Sequence, residues 1–180
     1  MLEKAEDEPV YDDFINPGFE EPLQADGSIK GWSGDQGISI SNEQSKSGHY
    51  SLKLHDTSTS ESVWASSNKI NVESSSFYHF EAHMFVVSQT HAVVFEVSFH
   101  DADGDSVGSN RNVLYRDVEK NKWLGMNLFA EAPRDAAYMQ IHFGSGGVSL
   151  TEAYFDDVSF SQVERTIENP SAMSNETFFW

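Results

Sequence analysis

The chain of 180 residues contains no cysteine, so neither a disulfide framework nor thiolate chemistry is open to it. Basic residues are scarce: 11 Lys and Arg stand against 29 Asp and Glu, a formal charge of −18. Such a surface repels both nucleic acid and anionic membranes, and we expect neither as a partner. The same repulsion disfavours strongly anionic polysaccharides. No run approaches the roughly 20 apolar residues that a membrane-spanning helix needs. Met1 is followed by the acidic Leu2-Glu3-Lys4-Ala5-Glu6-Asp7-Glu8, which lacks the character of a secretory leader. Helix signals are missing too, because no segment combines a cap with three turns of helical periodicity.

Aromatics, by contrast, are abundant: 13 Phe, 6 Tyr and 4 Trp. They favour strands, or a surface that stacks on flat ligands. The length suits one domain with a full core. Residues 1–13 read as an acidic linker or tail, 14–163 as the domain, and 164–180 as a linker or the start of a following module. We expect the chain to be part of a longer, multimodular protein.

Period-two alternation marks half-buried strands. In Phe77 to Val87, the residues Tyr78, Phe80, Ala82, Met84 and Val86 share one face, with His79, Glu81, His83 and Phe85 on the other. From His91 to His100, Val93, Phe95, Val97 and Phe99 point inward while Val94, Glu96, Ser98 and His100 point outward. Met139, Ile141 and Phe143 are expected inside, with Tyr138, Gln140 and His142 outside. Turn signals at Ser47-Gly48, Asp103-Gly104, Ala132-Pro133 and Gly144-Ser145-Gly146-Gly147 separate these runs. Seven to nine strands in one domain imply an all-β fold, a β-sandwich jelly roll of two antiparallel sheets.

Several segments carry a family resemblance. Asn16-Pro17-Gly18-Phe19-Glu20 opens the domain, and Gly31-Trp32 and Ser47-Gly48-His49-Tyr50-Ser51-Leu52-Lys53-Leu54 follow. Near the end stand Trp123, Ala132-Pro133, Ile141-His142-Phe143-Gly144 and Tyr154-Phe155-Asp156-Asp157-Val158. Their order resembles the carbohydrate-binding modules of family 4 and its relatives in families 9, 16 and 22, over about Asn16 to Phe160. The resemblance implies one sheet from Ser51–Leu54, Phe77–Val87, Trp123–Ala130 and Tyr154–Phe160. The other sheet would hold Val63–Ile70, Ala92–His100, Val113–Val118 and Tyr138–Phe143, its outer, concave face binding glycan.

Glu20 and Asp156, far apart in sequence, each lie at a strand end beside a tight turn. Calcium takes six to eight oxygens from carboxylates and carbonyls. The resemblance implies a structural calcium held by the carboxylates of Glu20 and Asp156 and the carbonyls of Gly18, Ser47 and Tyr50. The alternative is that both acids are ordinary surface groups. Asp101-Ala102-Asp103-Gly104-Asp105 reads as a turn, since it lacks the helices and the bidentate Glu of an EF-hand. A second calcium there stays open.

Sugars present a flat apolar face and a rim of hydroxyls, so their sites need an aromatic platform with a few polar groups. Trp64 lies in the polar segment Ser62-Val63-Trp64-Ala65 and matches a ligand-stacking aromatic of the family. His142 matches a ligand-contacting histidine. Alternation puts Gln140 and Tyr138 beside it and Glu96, Ser98 and His100 on the neighbouring strand, and Tyr115 or Arg116 would close one end. Trp32 and Trp123 are assigned to the core or a strand cap. Ser67 departs from relatives that place a carboxylate near the aromatic.

The expected function is a non-catalytic module, secreted or on the cell surface and monomeric. It would bind a polysaccharide or oligosaccharide, β-glucan, xylan or a related glycan, for a tethered degrading enzyme. Two alternatives stay open: a jelly-roll polysaccharide lyase, suggested by Gln140-Ile141-His142, and a structural or adhesive surface domain. The lyase lacks the arginine-rich and tyrosine-rich motifs that should accompany that tripeptide.

Overall fold

The alternating segments form strands in the computed structural model, which describes residues 13–21, 23–147 and 149–164. The expected tails therefore lie outside the described residues, apart from Asp13 and Glu164. No helix occurs among the described residues, which form eleven strands. The first five are β1 (Trp32–Gly34), β2 (Ile38–Ser41), β3 (Ser51–Asp56), β4 (Trp64–Ser67) and β5 (Ile70–Asn71). The rest are β6 (Phe77–Gln89), β7 (Ala92–His100), β8 (Arg111–Arg116), β9 (Trp123–Glu131), β10 (Tyr138–Gly146) and β11 (Thr151–Val163).

These strands make two antiparallel sheets. The first runs β1-β4-β10-β7-β8, with β5 also paired to β10, and the second runs β2-β3-β11-β6-β9. The jelly-roll division of strands between sheets is as expected. The short strands β1 and β2 were not foreseen, because Trp32-Ser33-Gly34 and Ile38-Ser39-Ile40-Ser41 are too short for alternation to stand out.

Between the sheets, Tyr78, Phe80, Ala82, Met84 and Val86 of β6 meet Val93, Phe95, Val97 and Phe99 of β7 and Met139, Ile141 and Phe143 of β10 in one buried cluster, Tyr78 4% exposed and the rest no more than 1%. Phe143 stacks on Phe95, Phe155 and Trp32 at centroid distances of 5.4, 4.3 and 5.8 Å, joining both sheets through one aromatic column. Trp32 is thus a core residue. Trp123 instead pairs with outward-facing Phe85 on the second sheet's outer side, ring centroids 5.6 Å apart.

β11 breaks its alternation at a bulge between Asp156 and Ser159, where Asp157 takes a φ of 51°. Ahead of the bulge, Ala153 to Asp156 are four consecutive buried residues: Phe85 and Lys53 pack on Tyr154, and the Lys46 and Ser47 amides close over Asp156. The Asp103-Gly104 turn sits inside a longer connection, residues 101–110, between β7 and β8. The Asp101 carboxylate accepts the N–H groups of Asp103 and Asp105 at 3.1 and 2.9 Å, and backbone bonds from Asp101 N–H to Asp105 O and from Gly104 N–H to Asp101 O close the same turn.

Candidate functional site

Directly opposed residues of an antiparallel sheet project to the same side. The register of the first sheet therefore lines up Ser66, His142, Glu96 and Asn112 across β4, β10, β7 and β8. Trp64, Gly144, Val94 and Leu114 form the adjoining row. On the other flank lie Gln140 with Ser98, then Tyr138 with His100. Trp64 is half-buried on this outer face, and its indole lies across Gly144: a Cβ there would sit 2.5 Å from the ring. Glycine is required at that place because the ring occupies the space a side chain would need. Leu114, 44% exposed, continues the apolar strip. Asp35 fixes the Trp64 backbone, accepting its N–H at 2.8 Å and donating its own N–H to the Trp64 carbonyl at 3.0 Å.

The polar row is a connected network. Ser66 Oγ lies 2.8 Å from His142 Nδ1, and Ser98 Oγ lies 2.7 Å from His142 Nε2. Ser98 Oγ also reaches His100 Nε2 at 3.0 Å. Burial, assisted by His100, pulls the His142 pKa down to about 4, so its ring is neutral near pH 7. Glu96 accepts amide N–H groups from Asn110 at 2.9 Å and Asn112 at 3.3 Å. Gln140 donates its Nε2 to the Ser67 carbonyl at 2.8 Å. The arrangement suits a flat ring on Trp64 with its hydroxyl rim over the row.

A second constellation surrounds residues 46–50. Glu20 Oε1 accepts the N–H groups of His49 and Tyr50 at 2.9 and 2.8 Å. Asp156, fully buried, accepts those of Lys46 and Ser47 at 2.8 and 3.1 Å through Oδ2, and that of Asp157 at 2.8 Å through Oδ1. Burial pushes the Asp156 carboxyl above its ordinary pKa, against the pull of those amides. A side chain at Gly48, whose φ is 60°, would run into the Glu20 carboxylate. Among the described residues no group of three or more His, Asp or Glu side chains gathers to hold a metal. A cation here would accordingly rest on the two carboxylates and on backbone carbonyls, a hard oxygen set of the kind calcium accepts.

Residues 12–127 match the CBM_4_9 family model, described as a carbohydrate binding domain. The chain belongs to this family. It is a carbohydrate-binding domain, a non-catalytic kind of module. No curated protein sequence matches it. Its fold is similar to that of the CBM22-1 xylan-binding domain of Paenibacillus barcinonensis Xyn10C, at 16% identity and a TM-score of 0.60, covering 83% of this chain and 93% of that one. It is similar also to the Clostridium thermocellum xylanase 10B CBM22-1–GH10 modules complexed with xylohexaose, at 15% identity and a TM-score of 0.58, over 86% of this chain and 28% of that one. A cyclase from Fischerella sp. TAU shares the fold at 10% identity and a TM-score of 0.61, covering 87% of this chain and 100% of that one. The fold thus also carries enzymes, and function rests on the family and the site.

In this carbohydrate-binding domain, Trp64, Glu96, Gln140 and His142 come together on the outer face of the first sheet. Two sequence expectations need correction. Tyr115 pairs in register with core residue Val93, so it faces inward; its hydroxyl meets the Asn127 N–H at 3.0 Å and its pKa is raised by burial. Tyr138 has the expected side but is only 3% exposed, stacked on His100 at 4.9 Å under the Lys69 ammonium, so it is floor rather than platform. Ser67 is buried and donates or accepts entirely within the sheet, its Oγ taking the Ile141 N–H at 2.9 Å. A carboxylate there would not reach the outer face. Sequence reading missed Ser66, Asn110, Asn112 and Leu114. The alternation of β7 puts Ser98 and His100 beside Glu96, and the register pairs them with Gln140 and Tyr138.

Proposed function

We propose that this domain binds a neutral polysaccharide, a β-glucan, xylan or related chain, along the outer face of its first sheet. In doing so it would hold a tethered polysaccharide-degrading enzyme against its substrate outside the cell. The observation that carries this reading is the Trp64 indole laid across Gly144 beside a polar row. An aromatic face takes the apolar side of a pyranose, and the hydrogen-bonding groups next to it fix orientation. Support for the ligand class and for the tether comes from the xylan-binding neighbour and from the neighbour that joins such a module to a GH10 module.

Calorimetric titration against a panel of soluble glycans tests the reading, with Gly144→Ala as the probe of the platform. Because the added Cβ meets the indole at 2.5 Å, the ring must swing off its seat. Affinity for the best glycan should then fall about tenfold or more, the loss of about 1.4 kcal/mol. Unaltered affinity in a folded Gly144→Ala protein would remove Trp64 from the site.

The calcium is part of the same proposal. Glu20, Asp156 and the carbonyls of Gly18, Ser47 and Tyr50 would hold a structural ion that pins the 16–21 turn and β11 to the loop before β3. The bound ion would supply charge compensation for two carboxylates and take no part in chemistry. The fit is supported by Asp156, a fully buried acid whose neighbours are backbone amides rather than a basic side chain. Free calcium at 100 times its dissociation constant should add about 2.7 kcal/mol of stability. Chelation should therefore lower the melting temperature, and identical melting curves with calcium and with chelator would end the calcium assignment.

A further inference from the structure

The serines and histidines of the glycan face form a line of hydrogen bonds whose direction can be worked out. Its far end is the Gly104 carbonyl oxygen, 3.4 Å from His100 Nδ1. A carbonyl only accepts, so this contact is favourable only with the proton of His100 on Nδ1. In the neutral ring His100 Nε2 is then a bare lone pair, which receives the Ser98 hydroxyl proton across 3.0 Å. A hydroxyl has a single proton. Ser98 is thereby left as an acceptor toward His142 Nε2, which must carry a proton to fill the 2.7 Å contact. Neutral His142 has then no proton on Nδ1, and that nitrogen accepts from Ser66 across 2.8 Å. The reverse order would set the bare His100 nitrogen against the Gly104 oxygen.

We propose that Ser98 and His100 are positioning residues that act through His142 to turn the Ser66 hydroxyl inward, so that Ser66 faces the ligand as an acceptor. Stacking of His100 on Tyr138 holds the anchored end in place. The neighbouring groups have the same polarity. Gln140 spends an N–H on the Ser67 carbonyl and keeps an acceptor in Oε1, and Glu96 is a carboxylate. The middle of the face offers acceptors, whereas amide donors stand at its margin on Asn110 and Asn112. The ligand this selects is a glycan whose own hydroxyls donate. Capping those hydroxyls as O-methyl ethers removes the donors, and replacing them with carboxylates adds repulsion by Glu96. This inference rests on the reading that the face binds glycan.

The proton order is measurable without any ligand. Ring 15N–1H correlation spectra of the labelled domain near neutral pH should show His142 protonated on Nε2 and His100 on Nδ1. The opposite tautomer at either ring overturns the proposal. Its consequence is read by titrating the wild-type domain with a neutral glycan and with the same glycan partly O-methylated. We expect the methylated chain to bind about tenfold more weakly, and Ser98→Ala to shrink that ratio several-fold as His142 returns its proton to the Ser66 side. Ser98→Thr, which keeps the hydroxyl, should preserve the ratio. An equal ratio in wild type and Ser98→Ala would refute the positioning role. If no glycan binds at all, the reading of the face fails, while the spectra still decide the proton order. Should Ser98→Ala fail to fold, the wild-type spectra and the Ser98→Thr ratio decide alone.

Discussion

Trp64→Ala is expected to abolish measurable glycan binding while the domain stays folded. The indole is the one large aromatic in its row, joined there by Val94 and Leu114, and it is absent from the buried core cluster. Removing a central aromatic anchor typically costs about 2 kcal/mol or more, which is about 30-fold in affinity. The fold should tolerate the loss, since β4 is held by its ladders to β1 and β10 and the ring lies outside the sheets. Titration calorimetry checks the first half and thermal melting the second. Affinity within a few-fold of wild type would refute the platform, and an unfolded variant would show that the indole is structural.

The largest loss of stability is expected from Phe143→Ala. Phe143 has no exposed surface and is stacked with three other rings, Phe95 of its own sheet, Phe155 of the facing sheet and Trp32. Truncating such a ring leaves a cavity that close-packed neighbours fill only in part, at a cost of about 3–5 kcal/mol. That is a large share of the roughly 5–15 kcal/mol that holds a domain together. Urea denaturation should show the midpoint move sharply down. Phe129→Ala, on the outer face of the second sheet and 39% exposed, provides the contrast and should cost far less. Equal destabilisation by both variants would mean that the aromatic column is not the core's centre.

Strand positions and faces were legible because the chain alternates cleanly where one side is buried and the other wet. β6, β7 and β10 show this. Legibility ended where a strand carries apolar residues on both sides. In Arg111-Asn112-Val113-Leu114-Tyr115-Arg116, either Leu114 or Tyr115 reads as outward, and only the pairing of Val94 with Leu114 decides it. Ser66 was invisible for another reason: a serine has no periodic or compositional mark, and its role comes from the imidazole placed beside it. Trp64 could be singled out because its segment, Glu61-Ser62-Val63-Trp64-Ala65-Ser66-Ser67, is mostly polar and does not demand its burial. The bulge in β11 was hidden because it depends on partner register.

The strand order has a consequence for how the chain is made. β10 lies between β4 and β7, and β11 lies between β3 and β6, so the middle of each sheet is filled by one of the last two strands in sequence. During synthesis, the pairs β1–β4 and β7–β8 emerge before the strand that joins them, as do β2–β3 and β6–β9. Their apolar faces wait for a segment still inside the ribosome. Most contacts close over long sequence separations, which slows folding, and the wait exposes strand edges to wrong partners. The nascent domain becomes one closed unit only when Thr151–Val163 is free to slot between its neighbours.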